Sequence, residues 1–126
     1  MGREHYWRRK ARTLLERGEF SAALEAFETA LSINSTNPES ISGKGISLLN
    51  LGQIEESVKW FDRAIALEPM YHEAWYYKAS ALEQMGRLED ANRCYARAFL
   101  IQEGVPPHKH SERAKRKRVS LHSKKR

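Results

Sequence analysis

Three glycines, Gly18, Gly52 and Gly86, stand 34 residues apart, and the chain around each reads alike. The stretches are RGEFSAALEAFETALSINS over 17–35, LGQIEESVKWFDRAIALEP over 51–69 and MGRLEDANRCYARAFLIQE over 85–103. Self-similarity at a fixed period of this length is the signature of stacked supersecondary units, and it constrains the fold more than any composition can. At 126 residues the chain holds one small array and a tail.

Set in register from Glu4, Pro38 and His72, the copies match in chemistry as well as spacing. Each reads as two helices joined at its glycine. In the first helix Trp7/Ile41/Trp75, Ala11/Gly45/Ala79 and Leu14/Leu48/Leu82 recur at i, i+4 and i+7, one helical face. In the second, Phe20/Ile54/Leu88, Ala23/Ser57/Ala91, Phe27/Phe61/Tyr95, Ala30/Ala64/Ala98 and Ile33/Leu67/Ile101 again recur at helical spacing. Large residues alternate with small ones, which suits interdigitated packing. Each glycine falls where a left-handed residue would end the first helix. Pro69 stops the second helix of the middle copy. One helix pair cannot bury its own apolar stripe, whereas stacked pairs share a continuous core. The expected fold is all-α, an antiparallel helix-pair solenoid, with repeats at 4–37, 38–71 and 72–105 and a basic tail at 106–126.

These residues resemble the tetratricopeptide repeat family. Its pattern of Trp, small, bulky, Gly, Ala, aromatic, Ala and Pro is met by Trp75, Ala79, Leu82, Gly86, Ala91, Tyr95 and Ala98, and by Gly45, Leu48, Gly52, Phe61, Ala64 and Pro69. Ile41, Ser57 and Asn92 are mild departures. The resemblance covers about residues 4–103 and implies a right-handed superhelix whose first helices line a concave groove that binds proteins or peptides.

In that geometry copy one presents His5, Arg8, Arg9, Arg12 and Glu16 to the groove. Copy two presents Glu39, Ser42, Gly43, Ile46 and Asn50, and copy three presents Glu73, Tyr76, Tyr77, Ser80 and Gln84. One end is basic, the middle small and the far end aromatic. Such a surface would admit an extended or helical peptide, hold acidic groups on arginine and pack apolar side chains on the tyrosines. The competing reading is that the charged cluster is a solvated face. The best understood ligand of the family is the acidic C-terminus of cytosolic heat-shock chaperones, held by a carboxylate clamp. Arg8 and Arg12 fall on the first copy's two clamp places, filled in the family by Lys and Asn. Gly43 then stands where Asn is needed, and Glu73 and Tyr77 stand where Lys and Arg are needed. An incomplete clamp with inverted charge at Glu73 argues against that ligand.

Charge divides by position. Residues 1–105 hold 13 Lys and Arg against 15 Asp and Glu, while residues 106–126 hold 9 against 1. After the break signal QEGVPP, Lys109, Arg113 and Arg116 replace the small and apolar residues that a fourth copy would need, so the array is expected to stop. Its uncovered end, around Leu88, Tyr95 and Phe99, invites self-association or a partner, and a fragment of a longer protein would look the same. In the tail, Lys115, Arg116, Lys117 and Arg118 with Lys124, Lys125 and Arg126 fit a nuclear import signal, a nucleic-acid backbone contact, an anionic surface contact, or a solvating segment. No aromatic is interleaved there, so base stacking is not expected.

The single cysteine, Cys94, excludes an internal disulfide and reads as packing. No phosphate-cradling loop, metal cluster or nucleophile beside a base is visible, so neither enzymatic activity nor a cofactor is expected. With no apolar run long enough to span a bilayer and no export signal in view, the expected location is cytoplasmic, or nuclear in a eukaryote. The leading expectation is a protein-binding scaffold or adaptor. The alternative is a nucleic-acid-associated protein acting through the tail while the repeats recruit a partner.

Overall fold

A computed structural model describes residues 2–106, and six α-helices form among them. They are α1 (Gly2–Glu16), α2 (Phe20–Ile33), α3 (Pro38–Asn50), α4 (Ile54–Leu67), α5 (His72–Gln84) and α6 (Leu88–Gln102). Successive helices pair as α1 with α2, α3 with α4 and α5 with α6, and each pair stacks on the next through α2–α3 and α4–α5. The first helices also meet one another, α1 touching α3 and α3 touching α5. The chain is therefore an all-α solenoid with α1, α3 and α5 along its inner side.

The turns repeat to the level of single hydrogen bonds. Gly52 has φ of +85°, and Gly18 and Gly86 have +78° and +79°. At each, the glycine N–H donates three residues back and the following N–H donates to the carbonyl of Leu14, Leu48 or Leu82, at 2.9 Å in every copy. This is the left-handed helix stop that glycine makes without steric penalty. Gly104, at +75°, makes a fourth stop after α6, and the next residue, Val105, is buried and donates its N–H to Leu100 O at 3.0 Å. In the middle repeat α3 begins with Pro38 behind Asn37, whose side chain accepts from Ser40 N at 3.2 Å. Both are favoured helix-start residues.

The middle helix α3 is the most enclosed, because its smallest positions admit rings from both second helices beside it. A Cβ on Gly43 would lie 2.2 Å from the Phe27 ring, and one on Gly45 would lie 2.7 Å from Phe61, which is fully buried. Ser40, Ser42 and Ser47 are fully buried on the same helix. Ser47 Oγ donates to Gly43 O at 3.0 Å, whereas the Ser40 and Ser42 hydroxyls have no hydrogen-bond partner.

Between repeats, an ionic register recurs with the same period. Lys44 reaches Glu28 at 3.1 Å and Lys78 reaches Asp62 at 2.5 Å, so a first-helix lysine meets a second-helix acid of the copy before it. Ala96 stands at the third acid position, where this register ends. Lys44 also lies 4.0 Å from the Trp60 ring centroid, a cation–π contact that keeps the lysine stem folded down.

Two positions assigned to the buried stripe are instead exposed. Ile33 and Leu67 are the last residues of α2 and α4, whereas Leu88, at the end expected to be uncovered, opens α6 at 58% exposure. Tyr95 and Phe99 are half-buried. Trp75 packs against the third-repeat core, and its Nε1 donates to Pro69 O at 2.8 Å.

Two stability measurements follow from α3. Gly45→Ala should destabilise by about 1–3 kcal/mol through overpacking against Phe61, although alanine is otherwise the better helix residue. In a Phe61→Leu background the same change should cost less, and strictly additive urea-denaturation values would contradict the ring contact. Ser42→Ala should stabilise by about 1 kcal/mol because it removes a desolvated, unpartnered hydroxyl. A loss of that size would mean that the hydroxyl is paired.

Candidate functional site: a cavity on the inner face

A cavity of about 330 Å³ opens on the inner side and draws on all three repeats. From α1 come Arg12, Leu15 and Glu16; α2 supplies Phe20 and Phe27. Glu39, Gly43 and Ile46 come from α3, and Glu73 and Tyr77 from α5. Gly43 is part of its wall. With no side chain there, the Phe27 ring occupies the space beside the helix and the wall stays recessed. Leu15, Phe20, Phe27 and Ile46 make an apolar lining, and charged groups sit among them.

The acidic groups are placed by helix-start chemistry. Glu39 and Glu73 each stand in the first turn of their helix, where a carboxylate is favoured by the helix dipole. Glu39 is a hub. One of its oxygens accepts from Arg8 Nη1 at 2.6 Å, and the other pairs with Arg12. Arg8 also donates to Glu4 at 3.2 Å and to His5 Nδ1 at 3.1 Å. Burial opposes the charge on Arg8, but the bonds to Glu39 and Glu4 outweigh it and hold the guanidinium more firmly protonated than usual. Both arginines expected to grip an acidic ligand are thus already engaged by carboxylates of the chain.

At the α5 side Tyr71 Oη donates to Glu73 at 3.3 Å. Burial, reinforced by the Glu73 and Glu39 charges, pushes the Tyr71 phenol well above the ordinary tyrosine range, so it remains a donor at physiological pH. Burial and Glu73 also raise Tyr77. Tyr77 stacks near Phe61, with ring centroids 6.3 Å apart, and Tyr76 meets it edge to face at 5.2 Å.

Of the residues expected to line the groove, the cavity gathers Arg12, Glu16, Glu39, Gly43, Ile46, Glu73 and Tyr77. It does not include His5, Arg8, Arg9, Asn50, Tyr76, Ser80 or Gln84. Arg9 and Gln84 are exposed, Ser80 is half-buried, and the exposed Asn50 turns its amide back to Ile46 O at 2.9 Å. Ser42 is a correction: it is fully enclosed and has no surface to offer a ligand, because its helix is covered from several sides. Gly43 and Ile46 form recessed wall, not projecting contacts. Leu15, Phe20 and Phe27 were not anticipated. Phase assigned the two phenylalanines to the second-helix core, and only the missing side chain at Gly43, read together with Phe27, could have signalled their part in the wall.

Cys94 lies in the third-repeat core with Ala79, Leu82 and Ala91, and burial pushes its thiol up, away from the reactive thiolate. Among the described residues no group of three His, Cys, Asp or Glu could hold a metal ion, and no helix is long and apolar enough to cross a membrane. The tail residues Lys115 to Arg118 and Lys124 to Arg126 lie outside the described residues.

Two sequence-family profiles, each described as Tetratricopeptide repeat, match residues 14–70 and 43–102. No curated protein matches the chain. Among solved structures, the Sgt2 TPR domain from Aspergillus fumigatus is 22% identical with a TM-score of 0.77, over 98% of this chain and 83% of that one. The second TPR of Spaghetti (RPAP3), bound to HSP90 peptide SRMEEVD, is 18% identical with a TM-score of 0.74, over 79% of this chain and 92% of that one. A crystal structure of MamA is 21% identical with a TM-score of 0.73, over 80% of this chain but only 59% of that one. With six helices in three glycine-turned pairs and both profiles in agreement, the chain belongs to the tetratricopeptide repeat family.

Proposed function

We propose that the chain is a non-catalytic adaptor that docks a peptide or helix of a partner protein in its inner cavity. The observation that carries this reading is the cavity itself. It draws on α1, α2, α3 and α5, has an apolar lining with charged groups set in it, and owes its depth to a glycine whose side-chain place is taken by Phe27. That combination of recessed apolar wall and a few oriented polar groups suits capture of side chains from a partner segment. The family supports it, and so does the neighbour whose structure holds a bound peptide.

Carried over to this chain, the mode of that neighbour's ligand is not favoured. Arg8 and Arg12 are engaged by Glu39 and Glu4, and the other clamp places hold Gly43, Glu73 and Tyr77. The repeats therefore supply the frame for peptide docking with a different set of contacts.

Partner proteins retained by the immobilised full chain from host-cell lysate provide the test. Tyr77→Ala combined with Glu73→Ala should abolish retention of a groove-bound partner while far-UV circular dichroism stays unchanged. Lys59→Glu, on the exposed side of α4 and outside the cavity, should leave it intact. Retention insensitive to the cavity pair would contradict the proposal.

A further inference from the structure

The charges lining the cavity do not balance. Among the described residues, Arg12 is its one cationic group, against the carboxylates of Glu16, Glu39 and Glu73. Arg12 is committed to Glu39, which also receives Arg8. Among the described residues, Glu16 has no partner and Glu73 has only the neutral Tyr71 hydroxyl. Two carboxylates without a counter-charge thus share a recess with Leu15, Phe20, Phe27 and Ile46. At about 330 Å³ the space is at the small end of the roughly 300–1,000 Å³ typical of ligand sites. It suits one or two side chains of a docked segment.

Resting on the adaptor reading above, we infer that the preferred occupant is a cationic protein segment. It places one bulky apolar side chain in the cavity and carries a Lys or Arg beside it that meets Glu16 and Glu73. An acidic segment would bring like charge to both carboxylates with no free arginine to offset it, a selection by repulsion as much as by attraction. A purely apolar segment would leave the two carboxylates partly desolvated and unpaired. A lysine or arginine beside the anchor relieves this, since its stem lies along apolar wall while its head reaches the acids. The polarity is opposite to that of a carboxylate clamp.

The test starts from a randomised twelve-residue peptide library displayed on phage and selected on the full chain. Enriched sequences should pair Leu, Phe, Met or Trp with neighbouring Lys or Arg. As synthetic fluorescent peptides they should weaken as salt is raised. Glu16→Gln with Glu73→Gln should weaken them by about fivefold, as expected for two exposed ion pairs. Tyr77→Ala should weaken any peptide seated in the cavity.

Enrichment of Asp- and Glu-rich peptides would overturn the inference, as would cationic peptides indifferent to the double glutamine variant. If those peptides still respond to Tyr77→Ala, the adaptor reading stands and only its charge preference falls. If no enriched peptide responds to Tyr77→Ala, or none is enriched, both fall. Affinity that rises with salt would show that the chain's own cationic residues compete for the cavity, and would overturn assignment to a partner segment.

Discussion

The architecture depends on two aromatic rings entering the places of two absent side chains. Phe27 sits where a Cβ on Gly43 would be, and Phe61 sits where one on Gly45 would be. Both glycines are on α3, which packs on α2 and α4 and also touches α1 and α5. At the place of Gly45 the outer copies have Ala11 and Ala79, while at the place of Gly43 they have Arg9 and Tyr77. The first substitution is a variation in packing. The second removes a side chain from the inner surface, and Gly43 and Phe27 both line the cavity there. Core packing and cavity wall thus share one contact, so the wall cannot be altered at Gly43 without disturbing Phe27.

Electrostatics then decide what the recess can hold. Glu39 is favoured where it stands because it begins a helix, and from there it reaches two arginines of the preceding repeat. That arrangement joins the first repeat to the second and silences the cations a clamp would use. Glu73, its counterpart one period later, begins α5 and meets a tyrosine hydroxyl instead. The same helix-start preference therefore gives a neutralised acid in one copy and an uncompensated acid in the next. The outcome is set by what the preceding repeat places opposite: Arg8 and Arg12 in one case, Ser42 and Ile46 in the other.

Much of this was legible before any coordinates. Glycine spacing located the turns, and the i, i+4, i+7 stripe located Ala11, Ala79, Leu48 and Leu82 in the core because helix phase depends only on local geometry. Phase was less informative where burial depends on neighbours. Ser42 shares a helical position with Arg8 and Tyr76, which keep exposed surface, yet it is small and sits on the helix covered from several sides. Ile33 and Leu67 keep the apolar spacing but are the last residues of their helices and stay exposed. Pairing of Arg8 and Arg12 with Glu39 crosses between helices 27 to 31 positions apart, beyond any local pattern. The part of Phe27 in the cavity wall required knowing that Gly43 faces it.

The most direct measurement is an amide-resolved NMR titration of the full chain with a segment of a captured partner. The account predicts that shift changes concentrate at Gly43, Ile46, Glu73 and Tyr77, with the Glu16 end of α1 following, while Lys59, Arg63 and Arg97 stay still. Changes centred on those latter residues, with the cavity amides unmoved, would show that the partner is held elsewhere and that the recess beside Gly43 is only a consequence of packing.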